Sequence, residues 1–323
     1  MTPSTHERIP VGISACLMGE NVRFNGSHKR SRFCTDVLSR YFDFRPVCPE
    51  VAIGLGTPRE PIRLVASSSD DESPRAVGVS NPDLDVTAPL SNYADQCADS
   101  MQDLCGFILM QKSPSCGLFE VKRYLSNGHP EGKTSGVFAR RLRERLPLLP
   151  IEEAGRLNDA ALRENFMVRV YAYQDWQTFL QEPVTAAGLI AFHSRYKYLV
   201  MAHSPDAYRS IGRLLSDLSG PLEQIATDYF QQLMSALAKP ATRQRHTNAL
   251  MHLQGYLKKI LSPADKQELR NLIDEYHEGI IPLVVPLTLL KHHLNHHEEM
   301  NAYARQQVYL NPHPYELGLR NTL

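Results

Sequence analysis

The sequence predicts an α/β domain with a mostly parallel sheet, followed by an all-α domain, and three observations carry that reading. Its 323 residues exceed the roughly 250 at which a single hydrophobic core stops growing, so two domains are expected. Near residue 160 the hydrophobic pattern changes, from short apolar runs alternating with helical stretches to almost continuous helical spacing. All six cysteines lie at or before Cys116, whereas ten of the thirteen histidines lie after residue 160, so the halves differ in chemistry as well. The expected domains are residues 1–160 and 161–323.

Taken in order, residues 10–15 form a short apolar run that closes at Cys16 and reads as the first strand. Residues 31–41 suit a helix, residues 45–47 run into Cys48 and Pro49, and residues 62–66 make another short strand. Residues 67–74 are a polar, acidic loop. Apolar spacing over 88–105 is helical, and 106–110 (GFILM) is a buried-strand run that delivers the chain into KSPSCG. An Arg-rich helix over 135–146 and a run at 148–151 end the series. Strands separated by helices of this length imply right-handed crossovers and parallel pairing. Residues 156–180 read as a connector with helices of its own. Beyond it, 221–237 and 247–261 carry helical spacing, and Ser262-Pro263-Ala264-Asp265 has a capping serine, a first-turn proline and a capping-box acid.

Lys plus Arg equal Asp plus Glu at 35 each, and 42% of residues are hydrophobic, which is a soluble globular profile and not a disordered or strongly nucleic-acid-coating one. Each half is also balanced, with 19 basic against 20 acidic residues through residue 160 and 16 against 15 beyond it. Contact with nucleic acid must therefore rest on local clusters. Residues 1–10 lack the apolar core of a signal peptide, and no run approaches the roughly 18 apolar residues of a membrane span. The expectation is a cytoplasmic protein with no membrane contact, whose cysteines are ligands, nucleophiles or buried fillers and not disulfides.

Three cysteines share a context. Cys16 follows the first strand, Cys48 follows a later one, and Cys116 sits just after GFILM. Residues past the carboxyl ends of parallel strands converge on one crevice, so three thiolates distant in sequence can meet there. Three thiolates with a fourth position open describe a catalytic zinc or a cubane iron–sulfur cluster. The sequence has no CxxC pair, so spacing alone leaves both open, together with three unrelated buried thiols. Cys34, Cys97 and Cys105 fall in helical stretches and need only be buried.

Several motifs occur in order: Ile13-Ser14-Ala15-Cys16-Leu17-Met18-Gly19, Val22-Arg23-Phe24-Asn25-Gly26, Pro46-Val47-Cys48-Pro49-Glu50, Gly54-Leu55-Gly56-Thr57-Pro58-Arg59-Glu60 and Lys112-Ser113-Pro114-Ser115-Cys116-Gly117. Together they resemble the thiouracil desulfidase (TudS) family over about residues 9–155. Phe192-His193-Ser194-Arg195-Tyr196-Lys197-Tyr198, His246-Thr247-Asn248 and Pro282-Leu283-Val284-Val285-Pro286 resemble a YbgA-type helical domain. The combination resembles the RudS-type fusion, linked to removal of sulfur from 4-thiouridine in tRNA.

The resemblance implies a [4Fe-4S] cluster, with Cys16, Cys48 and Cys116 as the matching ligands. It also implies a general-base glutamate, matched by Glu50, and a serine matched by Ser113 or Ser115. A thiocarbonyl sulfur is a soft ligand suited to an open iron, whose Lewis acidity makes sulfur a better leaving group. Glu50 would then take a proton from the attacking water, Ser113 or Ser115 would orient it, and Lys112 would hold developing negative charge. Arg59 and Glu60 are candidates for supporting roles.

Gly54-x-Gly56 lacks the rest of a dinucleotide fingerprint, and no Walker A or SGGxDS sequence is present to make an adenylated base. His292, His293, His296 and His297 read as a solvated helix face, and His193 and His203 as bundle supports. Phosphate contact is expected from Arg195, Lys197, Arg243 and Arg245, with Arg140, Arg141, Arg143 and Arg145, or Lys258, Lys259 and Lys291, as further clusters. The leading expectation is a desulfidase acting on tRNA. Its rivals are a desulfidase for a free thiolated pyrimidine with a dimerising helical domain, a zinc hydrolase, and a non-catalytic iron–sulfur sensor.

Overall fold

The computed structural model describes residues 8–296 and 302–323, and the chain divides into two compact units, Met1–Asn158 and Asp159–Leu323. Most of the polar N-terminal stretch, and His297, lie outside the described residues. The first unit runs β1 (Ile9–Ser14), β2 (Phe42–Val47), α1 (Pro49–Ala52), β3 (Ile62–Ala66), β4 (Arg75–Gly78), α2 (Thr87–Ser100), β5 (Phe107–Leu109), β6 (Val121–Leu125), β7 (Pro130–Thr134), α3 (Val137–Arg145) and β8 (Ile151–Glu153).

One sheet has the order β2-β1-β5-β8 and is parallel throughout, as the strand and helix alternation predicts. Its two inner strands are nearly all apolar because helices and loops cover both faces. Gly12 is needed for this packing, since a Cβ there would lie 2.3 Å from the Phe107 ring. The order in which the chain adds strands switches sides between β1 and β5, and a crevice forms outside the carboxyl ends of strands at such a switch point.

A second sheet, of order β4-β3-β6-β7, is mixed: β3 and β6 are parallel, while β3–β4 and β6–β7 are antiparallel. This sheet corrects the simple alternation. Its strands β4, β6 and β7 carry Arg75, Lys122, Arg123 and Lys133, and β6 and β7 are largely solvated while β4 is only four residues long, so they lack the apolar runs that mark a buried strand. The other face packs Ile62, Leu64, Ala76 and Val121 against Leu90 of α2 and Val137 of α3.

Two helix expectations are also corrected. Residues 31–41 form a π-helical turn, Phe33–Val37, and a 3-10 turn, Leu38–Arg40, that bury only Cys34 and Leu38. The stretch 88–105 is helical only to Ser100, so Cys105 lies in the loop before β5, buried but not helical.

The second unit is helical as expected: α4 (Ala160–Phe179), α5 (Ala186–His203), α6 (Pro205–Leu214), α7 (Leu222–Leu237), α8 (Arg243–Gln254), α9 (Pro263–Glu278), α10 (Val284–His296) and α11 (Ala302–Arg305). Ser262 caps α9, its Oγ accepting from Asp265 N. Asp159, Thr185, Ser204 and Thr242 cap other helices in the same way, each satisfying an otherwise orphaned N–H. The supposed connector at 156–180 is mostly α4, whose Phe166, Met167, Val170 and Trp176 are core residues. Trp176 stacks on Phe230 at 4.9 Å. No described helix is long and apolar enough to cross a membrane.

Candidate active site

A cavity of about 490 Å³ is lined by Cys16, Cys48, Glu50, Lys112, Ser113, Ser115 and Cys116 together. These residues come from three segments placed by β1, β2 and β5. Arg23, Phe24, Lys29, Arg59 and Gln111 line it as well. Cys16 lies in the 3-10 turn Ala15–Met18, which Gly19 ends at φ 98°, and Lys29 N donates to Cys16 O at 2.9 Å to fold the following loop back over it. Cys48 precedes α1, which puts Glu50 in the first turn of that helix.

The segment carrying Ser113, Ser115 and Cys116 is fixed from two sides. At the start of α3, Val137 N donates to Pro114 O at 3.0 Å and Ala139 N to Ser115 O at 3.1 Å. Gly136 allows this approach, because a Cβ there would stand 2.5 Å from Ser115 O. From the end of β8, Glu153 Oε1 accepts from Leu118 N at 2.7 Å and Phe119 N at 3.3 Å. Lys112 enters the loop at φ 60°, a left-handed conformation that few non-glycine residues adopt.

Glu50 is engaged at both oxygens. Its Oε1 accepts from Ser115 Oγ at 2.5 Å, and Ser115 Oγ lies 2.9 Å from Ser113 Oγ. Its Oε2 accepts from Arg59 Nε at 2.8 Å and stands 2.7 Å from Arg59 Nη2 in the ion pair. The Arg59 side chain is 5% exposed and also donates to the carbonyls of Gly56 and Val22. Glu60, the other supporting candidate, is not in the cavity; its Oε1 accepts from Ser80 N and Asn81 N and shapes that turn.

Burial pushes the Cys16 thiol up to about 11, with Cys48 adding to the shift and Arg23 opposing it. Burial also raises Cys48, and it raises Cys116 together with Glu50. Each thiolate would repel the others, so ionising all three requires a compensating positive charge between them. Among the described residues no three His, Cys, Asp or Glu side chains group around a single metal ion. The soft, three-thiol donor set on a roomy cavity fits a polynuclear iron–sulfur group.

Other residues singled out in the sequence lie elsewhere. Cys34, Cys97 and Cys105 are buried and do not line the cavity. In the helical unit Arg195 pairs with Asp175 at 3.1 Å on the surface, and Lys197 sits 5.7 Å from the Tyr198 ring centre and 5.9 Å from that of Tyr208. Arg243 donates to Tyr276 O at 2.7 Å and Arg245 to His203 O at 2.7 Å, so both guanidiniums bind carbonyls of their own unit. Arg141 and Arg145 pair with Asp95. His203 is buried against Lys239 O, in keeping with a bundle support.

Sequence reasoning did not single out Ser14, Arg23, Lys29 or Gln111. Ser14 Oγ accepts from Met110 N at 3.0 Å and ties the ends of β1 and β5 together. A signal was present for two of these, since Ser14 and Arg23 stand inside the quoted motifs.

The model for 2-thiouracil desulfurase matches residues 11–154, and that for the protein of unknown function DUF1722 matches residues 197–314. Among curated relatives, YbgA of Escherichia coli (strain K12) is 31% identical over 161 residues, 49% of this chain and 94% of its own. YbbK of Bacillus subtilis (strain 168) is 30% identical over 146 residues, 41% of this chain and 88% of its own. A solved structure described as a [4Fe-4S]-dependent thiouracil desulfidase, TudS, is 30% identical with a TM-score of 0.36, covering 47% of this chain and 94% of that one. The chain carries a 2-thiouracil desulfurase domain over residues 11–154 and a DUF1722 domain over residues 197–314, and is a homologue of YbgA.

Proposed function

We propose that the chain removes sulfur from a thiolated pyrimidine by hydrolysis, without net redox change, and that its substrate is 4-thiouridine in tRNA. Thiocarbonyl and water become carbonyl and hydrogen sulfide. Cys16, Cys48 and Cys116 hold a [4Fe-4S] cluster in this reading, which the donor set and the family membership support. When bound, the cluster supplies a soft Lewis acid that polarises the carbon–sulfur bond.

The chain's own residues handle water and protons. Glu50 Oε1 holds Ser115 and keeps a second lone pair for the attacking water, while Arg59 fixes the carboxylate by binding Oε2. Ser115 and Ser113 form a short relay that orients the water or the pyrimidine edge. Lys112 stands at the rim, where it offsets negative charge developing on the base. The observation that carries this reading is the Glu50–Ser115 hydrogen bond within the cavity that the three cysteines line.

Contact with RNA falls to the helical unit. Arg195 and Lys197 of α5 and Arg243 and Arg245 of α8 are its phosphate contacts, the last two steadied by the carbonyls to which they also donate. The test is nucleoside analysis of 4-thiouridine-containing tRNA incubated with the iron-loaded protein, beside free 4-thiouracil. Loss of 4-thiouridine from tRNA with gain of uridine is expected. Turnover of the free base alone would move the substrate to a free thiolated pyrimidine.

A further inference from the structure

A groove of about 560 Å³ lies on the mixed sheet and adjoins the catalytic cavity, since Ile62, Lys112 and Pro114 line both. Strand alternation forms it. Leu64 packs into the core, so its neighbour Arg63 on β3 faces the other way. Val65 pairs with Tyr124 of β6, and Lys122 pairs with Lys133 of β7, which brings Tyr124 and both lysines to the groove.

The groove is cationic and open to solvent. Arg63, Lys112, Lys122 and Lys133 line it against one carboxylate, Glu120. Glu120 bonds Lys133 at 2.9 Å with both side chains 57% exposed, so the pair adds little stability, and the ammonium keeps donors for another acceptor. Lys112 and Lys122 are exposed and have no ion-pair partner among the described residues. Lysines directly opposite each other on neighbouring strands repel, a cost that an anion lying over Lys122 and Lys133 removes. Tyr124 is half-buried, with the Arg63 guanidinium 5.7 Å from its ring centre, and sets an aromatic surface beside these charges.

We propose that this groove takes the nucleotides next to the thiolated one in an RNA strand, with Lys122 and Lys133 on its phosphates and one unpaired base on Tyr124. A positive groove with an aromatic platform suits a single strand of nucleic acid, because each nucleotide presents one charge and one π-face. An acidic protein segment would use the charges and leave Tyr124 idle. The shared wall lets one strand run from the groove into the catalytic cavity. The inference rests on the reading that the cavity acts on RNA and deepens it: the helical unit docks the RNA as a whole, and the groove holds the strand beside the reacting base.

Fluorescence anisotropy of a short labelled oligoribonucleotide carrying uridine, added to the iron-loaded full chain across a salt series, tests this. In the double variant Lys122→Gln, Lys133→Gln, affinity should fall roughly tenfold and the slope of log Kd against log salt by about 0.7 for each contact removed. Tyr124→Leu should weaken binding about fivefold and leave the slope unchanged. With 4-thiouridine in the oligonucleotide, the double variant should lose roughly tenfold in kcat/KM while turnover of free 4-thiouridine is unaltered. Circular dichroism checks that the variants fold. Variant-sensitive binding with no sulfur released from any substrate would defeat the desulfuration reading and uphold the groove. Unchanged affinity and salt slope in the double variant, or equal losses on oligonucleotide and free nucleoside, would overturn the groove, and equal competition by a polyglutamate of the same charge would overturn RNA in favour of an acidic protein.

Discussion

Glu50 and Arg59 stand nine residues apart in sequence and form an ion pair at 2.7 Å, with Arg59 almost wholly buried, in the wall of the cavity that also receives Cys16, Cys48 and Cys116. The pair places a carboxylate beside the thiols and serine hydroxyls that line the same cavity. Removing either partner therefore has separable consequences for chemistry and for folding.

Glu50→Gln keeps the size of the side chain and removes the base. It is expected to retain iron while losing on the order of 10²-fold in turnover. Arg59→Met instead leaves a carboxylate with little compensation, at a cost of about 3–5 kcal/mol if the pair behaves as a buried one. Urea unfolding of the two variants and the double variant should give a double-variant loss smaller than the sum. Full additivity would show that the pair is not coupled.

Gly136→Ala tests how the cysteine segment is held. A Cβ at that position meets the Ser115 backbone oxygen at 2.5 Å, and backbone cannot move aside as a side chain can. The variant should lose about 1–3 kcal/mol of stability and bind less iron. An unchanged melting temperature and iron content would mean that α3 does not fix the loop.

Stability of the helical unit should fall on acidification. Burial pushes the His246 ring down to about 3 and the His193 ring down to about 4, against an ordinary value near 6.5 in the unfolded chain. Between those values the unfolded state binds protons that the folded state does not, so stability is lost as pH falls below about 6.5. For His246 the loss from pH 7 to pH 5 is roughly 2 kcal/mol. His246→Asn should flatten the dependence by about one proton, as read from melting temperatures across that range; an unaltered slope would contradict the assignment.

Iron content distinguishes the six cysteines. Separate changes of Cys16, Cys48 and Cys116 to Ala should abolish bound iron and the broad absorbance near 400 nm expected of the cluster. Cys34→Ala and Cys97→Ala should preserve both, since these residues do not line the cavity. Iron lost from Cys34→Ala but kept in Cys116→Ala would reassign the ligands.

Strand ends were the legible part of this molecule. Residues 62–66 form β3 as the apolar run predicts, and the thiols placed after β1, β2 and β5 line one cavity because parallel strands direct their carboxyl ends to a common edge. Strands such as β7, Pro-Glu-Gly-Lys-Thr, were not legible, since an edge strand with solvated side chains lacks any apolar period. The same blindness affects charged residues: nothing local separates Arg59, which is buried on Glu50, from Arg195, which is exposed beside Asp175. That Arg243 and Arg245 also donate to carbonyls was not legible either, because those carbonyls belong to residues 33 and 42 positions away.

Sulfide released anaerobically from 4-thiouridine by the iron-loaded protein, with no reductant or oxidant added, tests the central claim most directly. The account predicts one sulfide for each uridine formed, and at least a hundredfold slower release by Glu50→Gln with the same iron content. No sulfide from fully iron-loaded protein, or release that depends on an added reductant, would contradict it.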